Sequence, residues 1–274
     1  MIRKDYPGGL AMYWRLAVIS IKAQMQYKVS FVVSVVAQFL VTGIEVAGIW
    51  ALFARFGRLE HWGVAEVCFF YGTVNIAFAL AEAVSTGFDE FGSSYVRTGQ
   101  FDRLLLRPRS LFIQLMGHEL SLRRSGRMLQ GLAVLLWAIH TLSIDMTAAR
   151  WGLLAVTIVG SVCFFTGLFI LGATLCFWST ESLELINTLT YGGVQSAQYP
   201  MSIYETWFRK FFTYVVPLAC ISYFPIVAIL GIDDPLGSSR TFQTLAPISG
   251  VLFLWFTMFI FEKAGVRRYT STGS

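Results

Sequence analysis

Residues 151–178 read WGLLAVTIVGSVCFFTGLFILGATLCFW, a run without one charged side chain. At 1.5 Å of rise per residue, such a run exceeds the roughly 20 residues that cross a hydrocarbon core about 30 Å thick. Residues 31–53, 64–88, 128–144 and 245–261 read the same way. Hydrophobic residues make up 55% of the chain and charged ones 14%, whereas a soluble surface is usually about a quarter charged. Most of the chain therefore faces lipid. Two further stretches are ambiguous. Residues 182–204 are weakly apolar, and residues 211–231 are apolar but carry Pro217 and Pro225, either of which interrupts a straight helix.

Charge placement orients the spans, because short cytoplasmic loops retain Lys and Arg. Arg3, Lys4, Arg15, Lys22 and Lys28 put the N-terminus inside. Arg97, Arg103, Arg107, Arg109, Arg123, Arg124 and Arg127 put the segment after the second span on the same side, as two crossings require. Lys263, Arg267 and Arg268 follow the last span, so both termini are cytoplasmic and the number of crossings is even. One ambiguous stretch must then enter and leave on the same side. Irregular backbone at membrane depth is tolerated where protein or a water cavity satisfies it, which selects the proline-broken 211–231. Residues 182–204 become the fifth span, and Asp233 and Asp234 fall in the external loop that follows. Arg209, Lys210 and Arg240 lie outside against the rule.

The expected architecture is an all-α membrane protein of six transmembrane helices in a single domain, residues 1–274. An amphipathic interfacial helix covers 10–27, with Arg15, Lys22 and Gln26 on one face. A second surface helix covers 111–122, with Gln114, His118 and Ser121 on one face. The N-terminus lacks the short apolar core and small-residue cleavage site of a removable signal peptide. Cys68, Cys163, Cys176 and Cys220 are dispersed through apolar stretches, a poor pattern for a metal site or disulfide framework. No G-x-x-x-x-G-K-[ST] loop exists to cradle a nucleotide. His118-Glu119 starts like a zinc-protease motif, but Leu122 stands where the second ligand belongs.

Polar side chains inside spans carry the remaining chemistry, since ionisable groups in hydrocarbon face the bundle interior. Gln38, Thr42 and Glu45 share one face of the first span, and Asn75 and Glu82 share one face of the second. The two spans run in opposite directions, so depth matches Gln38 with Glu82 and Glu45 with Asn75; these four are expected mainly to hold the spans together. The fifth span carries Glu184, Asn187, Tyr191, Gln195 and Gln198 at steps of three or four residues. That stripe is longer than one pairing needs, which points Asn187, Tyr191, Gln195 and Gln198 at a translocation path; interhelical hydrogen bonding is the competing reading.

After the second span comes Arg97-Thr98-Gly99-Gln100-Phe101-Asp102-Arg103-Leu104-Leu105-Leu106-Arg107-Pro108. This resembles the R-x-G-x-(F/L)-D-x-L-L-x-(R/K)-P cytoplasmic segment of type-2 ABC-transporter permeases. Tyr199-Pro200, Trp207-Phe208-Arg209, Val216-Pro217-Leu218 and Tyr223-Phe224-Pro225 are similar to that family's external hairpin of short re-entrant helices, here 205–231. The resemblance implies a six-span exporter subunit in a bacterial inner membrane, paired with itself or a sibling permease. It also implies two docked ATPase subunits, with ATP and Mg bound there and no cofactor on this chain. Within the cytoplasmic region 89–127, the coupling loop would be Arg97, Gly99, Phe101, Asp102, Arg103, Leu104, Leu105, Arg107, Pro108 and Arg109. Arginines there would orient the protein even if nothing docked, but an apolar patch of Phe101, Leu104, Leu105 and Leu106 serves no topological purpose.

Two further classes compete with the export permease. A proton-coupled secondary transporter or channel would use Glu45, Glu82 and Glu184 and need no ATPase. A membrane-embedded enzyme lacks a clustered nucleophile, base or metal set. The net charge of +5 is a topology signal and implies no nucleic-acid partner. An aromatic content of 16% suits an amphipathic or hydrophobic cargo.

Overall fold

The computed structural model describes residues 9–107, 110–117, 121, 124–178 and 183–269. In chain order its helices are α1 (Gly9–Gln26), α2 (Lys28–Phe56), α3 (Val64–Asp89), α4 (Phe101–Leu105), α5 (Leu111–Met116), α6 (Ser125–Thr141) and α7 (Ala148–Leu175). There follow α8 (Leu183–Ala197), α9 (Thr206–Lys210), α10 (Leu218–Ile221), α11 (Tyr223–Leu230), α12 (Arg240–Leu245), α13 (Ile248–Ile260) and α14 (Val266–Arg268). Wider π-helical turns at Phe91–Val96, Phe211–Val215 and Phe261–Gly265 extend α3, α9 and α13. The chain is an all-α membrane protein.

The hub is α3, which is apolar almost all round and is buried almost all round. It packs against α6 on one side and α7 on the other, while α2 lies outside α6, α13 lies outside α7, and α8 closes against α3 and α7. Small residues permit the close crossings, as is usual between helices in lipid. A Cβ on Gly250 of α13 would overlap the Gly160 carbonyl of α7, and one on Gly160 would overlap the Pro247 carbonyl. The outermost helix, α2, buries only Thr42, Ile49 and Phe53, leaving a long apolar face outward.

Among the described residues, four helices are long and apolar enough to cross a membrane: Lys28–Phe56, Val64–Val96, Ala148–Leu175 and Ile248–Arg268. The expected third span, 128–144, is α6, of 17 residues and starting earlier than expected. The expected fifth, 182–204, is α8, of only 15 residues, because the chain turns at Tyr199-Pro200. Those two helices fall short of a straight crossing by length. The segment 206–230 is bent by 75° between Thr206–Val215 and Leu218–Leu230. The break sits at Val216-Pro217, where the proline offers no donor and Val216 is extended. Each arm is about 15–20 Å long.

The stretch 10–27 forms a helix, α1, which ends before Tyr27, whose backbone leaves the helical region before α2 begins. Its Arg15, Lys22 and Gln26 are exposed, and Leu16 packs over Gly117 after α5. The expected surface helix over 111–122 is shorter than expected, since α5 ends at Met116; His118 lies outside the described residues. Its polar face is turned inward: Gln114 and Ser121 are buried, Gln114 Nε2 donates to the Leu104 carbonyl at 3.3 Å, and the Ser121 amide donates to the Ala83 carbonyl.

Candidate functional site

Two polar clusters sit inside the bundle, one above the other along α3. The first surrounds Tyr71, whose buried hydroxyl lies 3.1 Å from Glu45 Oε2, 3.1 Å from the Thr42 carbonyl and 3.3 Å from Gln130 Oε1. One hydroxyl proton cannot serve three acceptors at once, so Tyr71 chooses among them. Gln130 Nε2 also reaches the Thr42 carbonyl at 3.5 Å, tying α6 to α2. From α8, Gln195 Nε2 meets Glu45 Oε1 at 3.5 Å.

The second cluster surrounds Glu82, which is 4% exposed. Arg124 Nη1 stands 3.3 Å from Oε1 and Arg127 Nη1 3.6 Å from Oε2. Tyr191 of α8 donates to Oε1 across 3.5 Å. The Arg127 guanidinium also lies over the Phe78 ring, 5.1 Å from its centroid, and Phe78 meets Tyr191 edge-on. A buried carboxylate is tolerable only with such partners. Beside it opens a polar cavity of about 360 Å³ lined by Ser34, Gln38, Glu82, Thr86, Asp89 and Arg124 among others.

Matching depth therefore pairs only some of these side chains. Gln38 and Glu82 do line one cavity. Glu45 meets Tyr71 and Gln195 rather than Asn75, because Asn75 folds back on its own helix and donates to the Tyr71 carbonyl at 2.9 Å. The residues that sequence reasoning missed are Tyr71, Gln130, Arg124 and Arg127. Their signal was present: Tyr71 extends the Asn75 and Glu82 face by one turn, and 124, 127 and 130 recur at steps of three.

The fifth-span stripe divides. Asn187, Tyr191 and Gln195 are exposed on α8, with Tyr191 and Gln195 joined at their roots to the two acidic residues. Gln198 is 2% exposed and lies in the turn after Ala197, so it leaves the helical period and the open face. The side chain of Glu184 lies outside the described residues.

Beyond the C-terminal end of α3 the arginine-rich loop divides too. Phe101 is fully buried, with its ring centroid 5.2 Å from Phe91, 5.5 Å from Phe177 and 4.8 Å from Tyr269. Leu104, three residues on, shares that inward side at 7% exposure. The expected four-residue apolar patch is thus split: Phe101 and Leu104 anchor α4, while Leu105 and Leu106 point outward beside exposed Arg97, Arg103 and Arg107. Gly99 turns the chain into α4 with φ of 66°, a conformation that favours glycine. Asp102 is half-buried, and Pro108 and Arg109 lie outside the described residues.

A model of ABC-2 family transporter proteins matches residues 10–273, nearly the whole chain. The chain belongs to the ABC-2 transporter family. No curated protein and no solved structure matches it. As an ABC-2 protein it is a multi-pass permease component of an ABC transporter, a class that moves cargo with an ATPase partner and is not itself catalytic. The resemblance carried by residues 97–108 is the family to which the ABC-2 permease belongs.

Proposed function

We propose that this ABC-2 permease is the membrane subunit of an exporter in a bacterial inner membrane. Two permeases, identical or siblings, enclose the path and two ATPase subunits drive it. Six helices cross: α2, α3, α6, α7, α8 and α13, with both termini cytoplasmic. The short α6 and α8 are about 26 and 22 Å long and are accommodated by local thinning of the bilayer. The bent arms before and after Val216 enter and leave from outside, which keeps the crossings even.

The observation that carries the reading is the open polar face of α8, Asn187, Tyr191 and Gln195, held from behind by Glu82 and Glu45. Uncharged polar groups on an otherwise apolar helix suit an amphipathic or hydrophobic cargo, such as a drug, a natural product or a lipid. Coupling runs through α4. Leu105 and Leu106 form the apolar centre that enters the ATPase, and Arg97, Arg103, Arg107 and Arg109 form its polar rim. Phe101 and Leu104 transmit the ATPase motion to α3, because they are packed in the same aromatic cluster as Phe91 just beyond it.

The test is transport in proteoliposomes holding permease and ATPase, with Asn187→Leu and Gln195→Leu. Changed cargo preference or rate with assembly preserved supports the path. Proton-dependent, ATP-independent transport controlled by Glu45 would support the secondary-transporter reading instead.

A further inference from the structure

The cations Arg209, Lys210 and Arg240 sit on the hairpin side, away from the arginine-rich loop, where the positive-inside bias gives them no topological use. Arg240 donates to the Ala228 carbonyl at 3.3 Å, whereas the other two face a cavity of about 600 Å³ between α9 and the loop that leads into α12. Arg209 and Lys210 line it together with Thr213, Ser238 and the rings of Phe224 and Phe242. Neither cation is in an ion pair among the described residues. Arg209 donates only to the Ser202 carbonyl and to Thr206 Oγ1, and Lys210 is exposed. Of the loop's two carboxylates, Asp233 is exposed and Asp234 is engaged elsewhere, accepting from the Tyr223 hydroxyl and the amides of Leu236 and Ser238.

Positive charge, hydroxyls and an aromatic floor together fit an anion carried on an apolar body. The surroundings supply the rest of such a molecule's environment. Tyr214 lines the cavity at 82% exposure and Trp207 of α9 is 70% exposed, as aromatic residues are at a membrane interface. From Phe242 an exposed apolar track continues at helical spacing through Leu245, Ile248, Leu252 and Trp255. Ala246 and Pro247, which join α12 to α13, both keep helical backbone, so the track is not interrupted.

We propose that this cavity seats the anionic headgroup of an outer-leaflet phospholipid, whose acyl chains lie along the exposed faces of α12 and α13. The leaflet assignment rests on the topology given under Proposed function; the headgroup chemistry does not. A lipid held there would brace the bent hairpin against the last span.

Native mass spectrometry of the delipidated full-length protein, titrated with phosphatidylglycerol or phosphatidylcholine, tests the site. Phosphatidylglycerol is expected to bind more tightly. At about a factor of five per interfacial cation, Arg209→Gln with Lys210→Gln should weaken it about 25-fold and leave phosphatidylcholine unchanged. Lys210→Gln alone, whose parent side chain makes no hydrogen bond among the described residues, should weaken it about fivefold should the double variant not fold. Lys263→Gln with Arg267→Gln, at the cytoplasmic end, should retain the preference. Undiminished phosphatidylglycerol binding in the hairpin variants would overturn the proposal, as would equal competition by free glycerol phosphate, which would mark a soluble-anion site. Labelling of Lys210→Cys in intact cells by an impermeant thiol reagent supports the outer leaflet; labelling only from inside would overturn that assignment while the lipid titration still judges the chemistry.

Discussion

Glu82 is the residue on which the interior ion cluster depends. It faces two arginines and a tyrosine from two other helices, and its charge offsets Arg127, which is itself largely buried. Glu82→Leu would leave that guanidinium uncompensated, at a cost of about 3–5 kcal/mol. Thermal unfolding in detergent should show a large fall for Glu82→Leu and partial recovery on adding Arg127→Met; an unchanged midpoint would mean that the cluster does not support the fold. Asp234 offers a second residue-scale test, on the hairpin side. Burial acts against its ionisation, but hydrogen bonds from Ser238, Tyr223 and Leu236 outweigh it and hold the carboxyl below its ordinary value. A depressed folded pKa stabilises above the unfolded value, near pH 4, and that contribution is lost as pH falls through the folded value. Wild type should therefore lose stability on acidification in that window, and Asp234→Asn should flatten the profile; parallel profiles would contradict the assignment.

At the scale of elements, the closest joint is between α7 and α13, where Gly160 and Gly250 leave no room for a Cβ. Gly250→Leu is expected to cost about 1–3 kcal/mol or more by forcing the helices apart, visible as lowered detergent-extracted stability. A neutral result would place the joint elsewhere. On α8 the expectation is the reverse: Asn187→Leu and Gln195→Leu touch an exposed face, so they should alter transport and spare assembly. How much of this was legible varies by element for physical reasons. The long spans were readable because hydropathy alone sets them, and the break at Pro217 because proline removes a donor. The ends of α6 and α8 were not, since there tertiary packing and the Tyr199-Pro200 turn decide. The split of α4 into buried Phe101 and Leu104 and exposed Leu105 and Leu106 is a matter of which side meets the aromatic cluster. Charge and apolarity in a short loop do not specify that side. Likewise Arg124 and Arg127 read as topology signals, and only the fold brings them onto Glu82.

For the whole molecule, the polar clusters, the open face of α8 and the arginine loop lie along one connected body centred on α3. Motion delivered at Leu105 and Leu106 would reach α3 through the aromatic cluster of Phe91, Phe101, Phe177 and Tyr269, and α8 through Tyr191 on Glu82. The central claim is that an ATPase docks on this loop and drives the permease. It is tested most directly by co-expressing the permease with the ATPase that accompanies it and measuring both retention and cargo-stimulated ATP hydrolysis for wild type and Leu105→Asp. The expected result is loss of the ATPase, or of stimulation, in Leu105→Asp with membrane insertion and permease stability intact. Normal retention and normal stimulation in that variant would contradict the account.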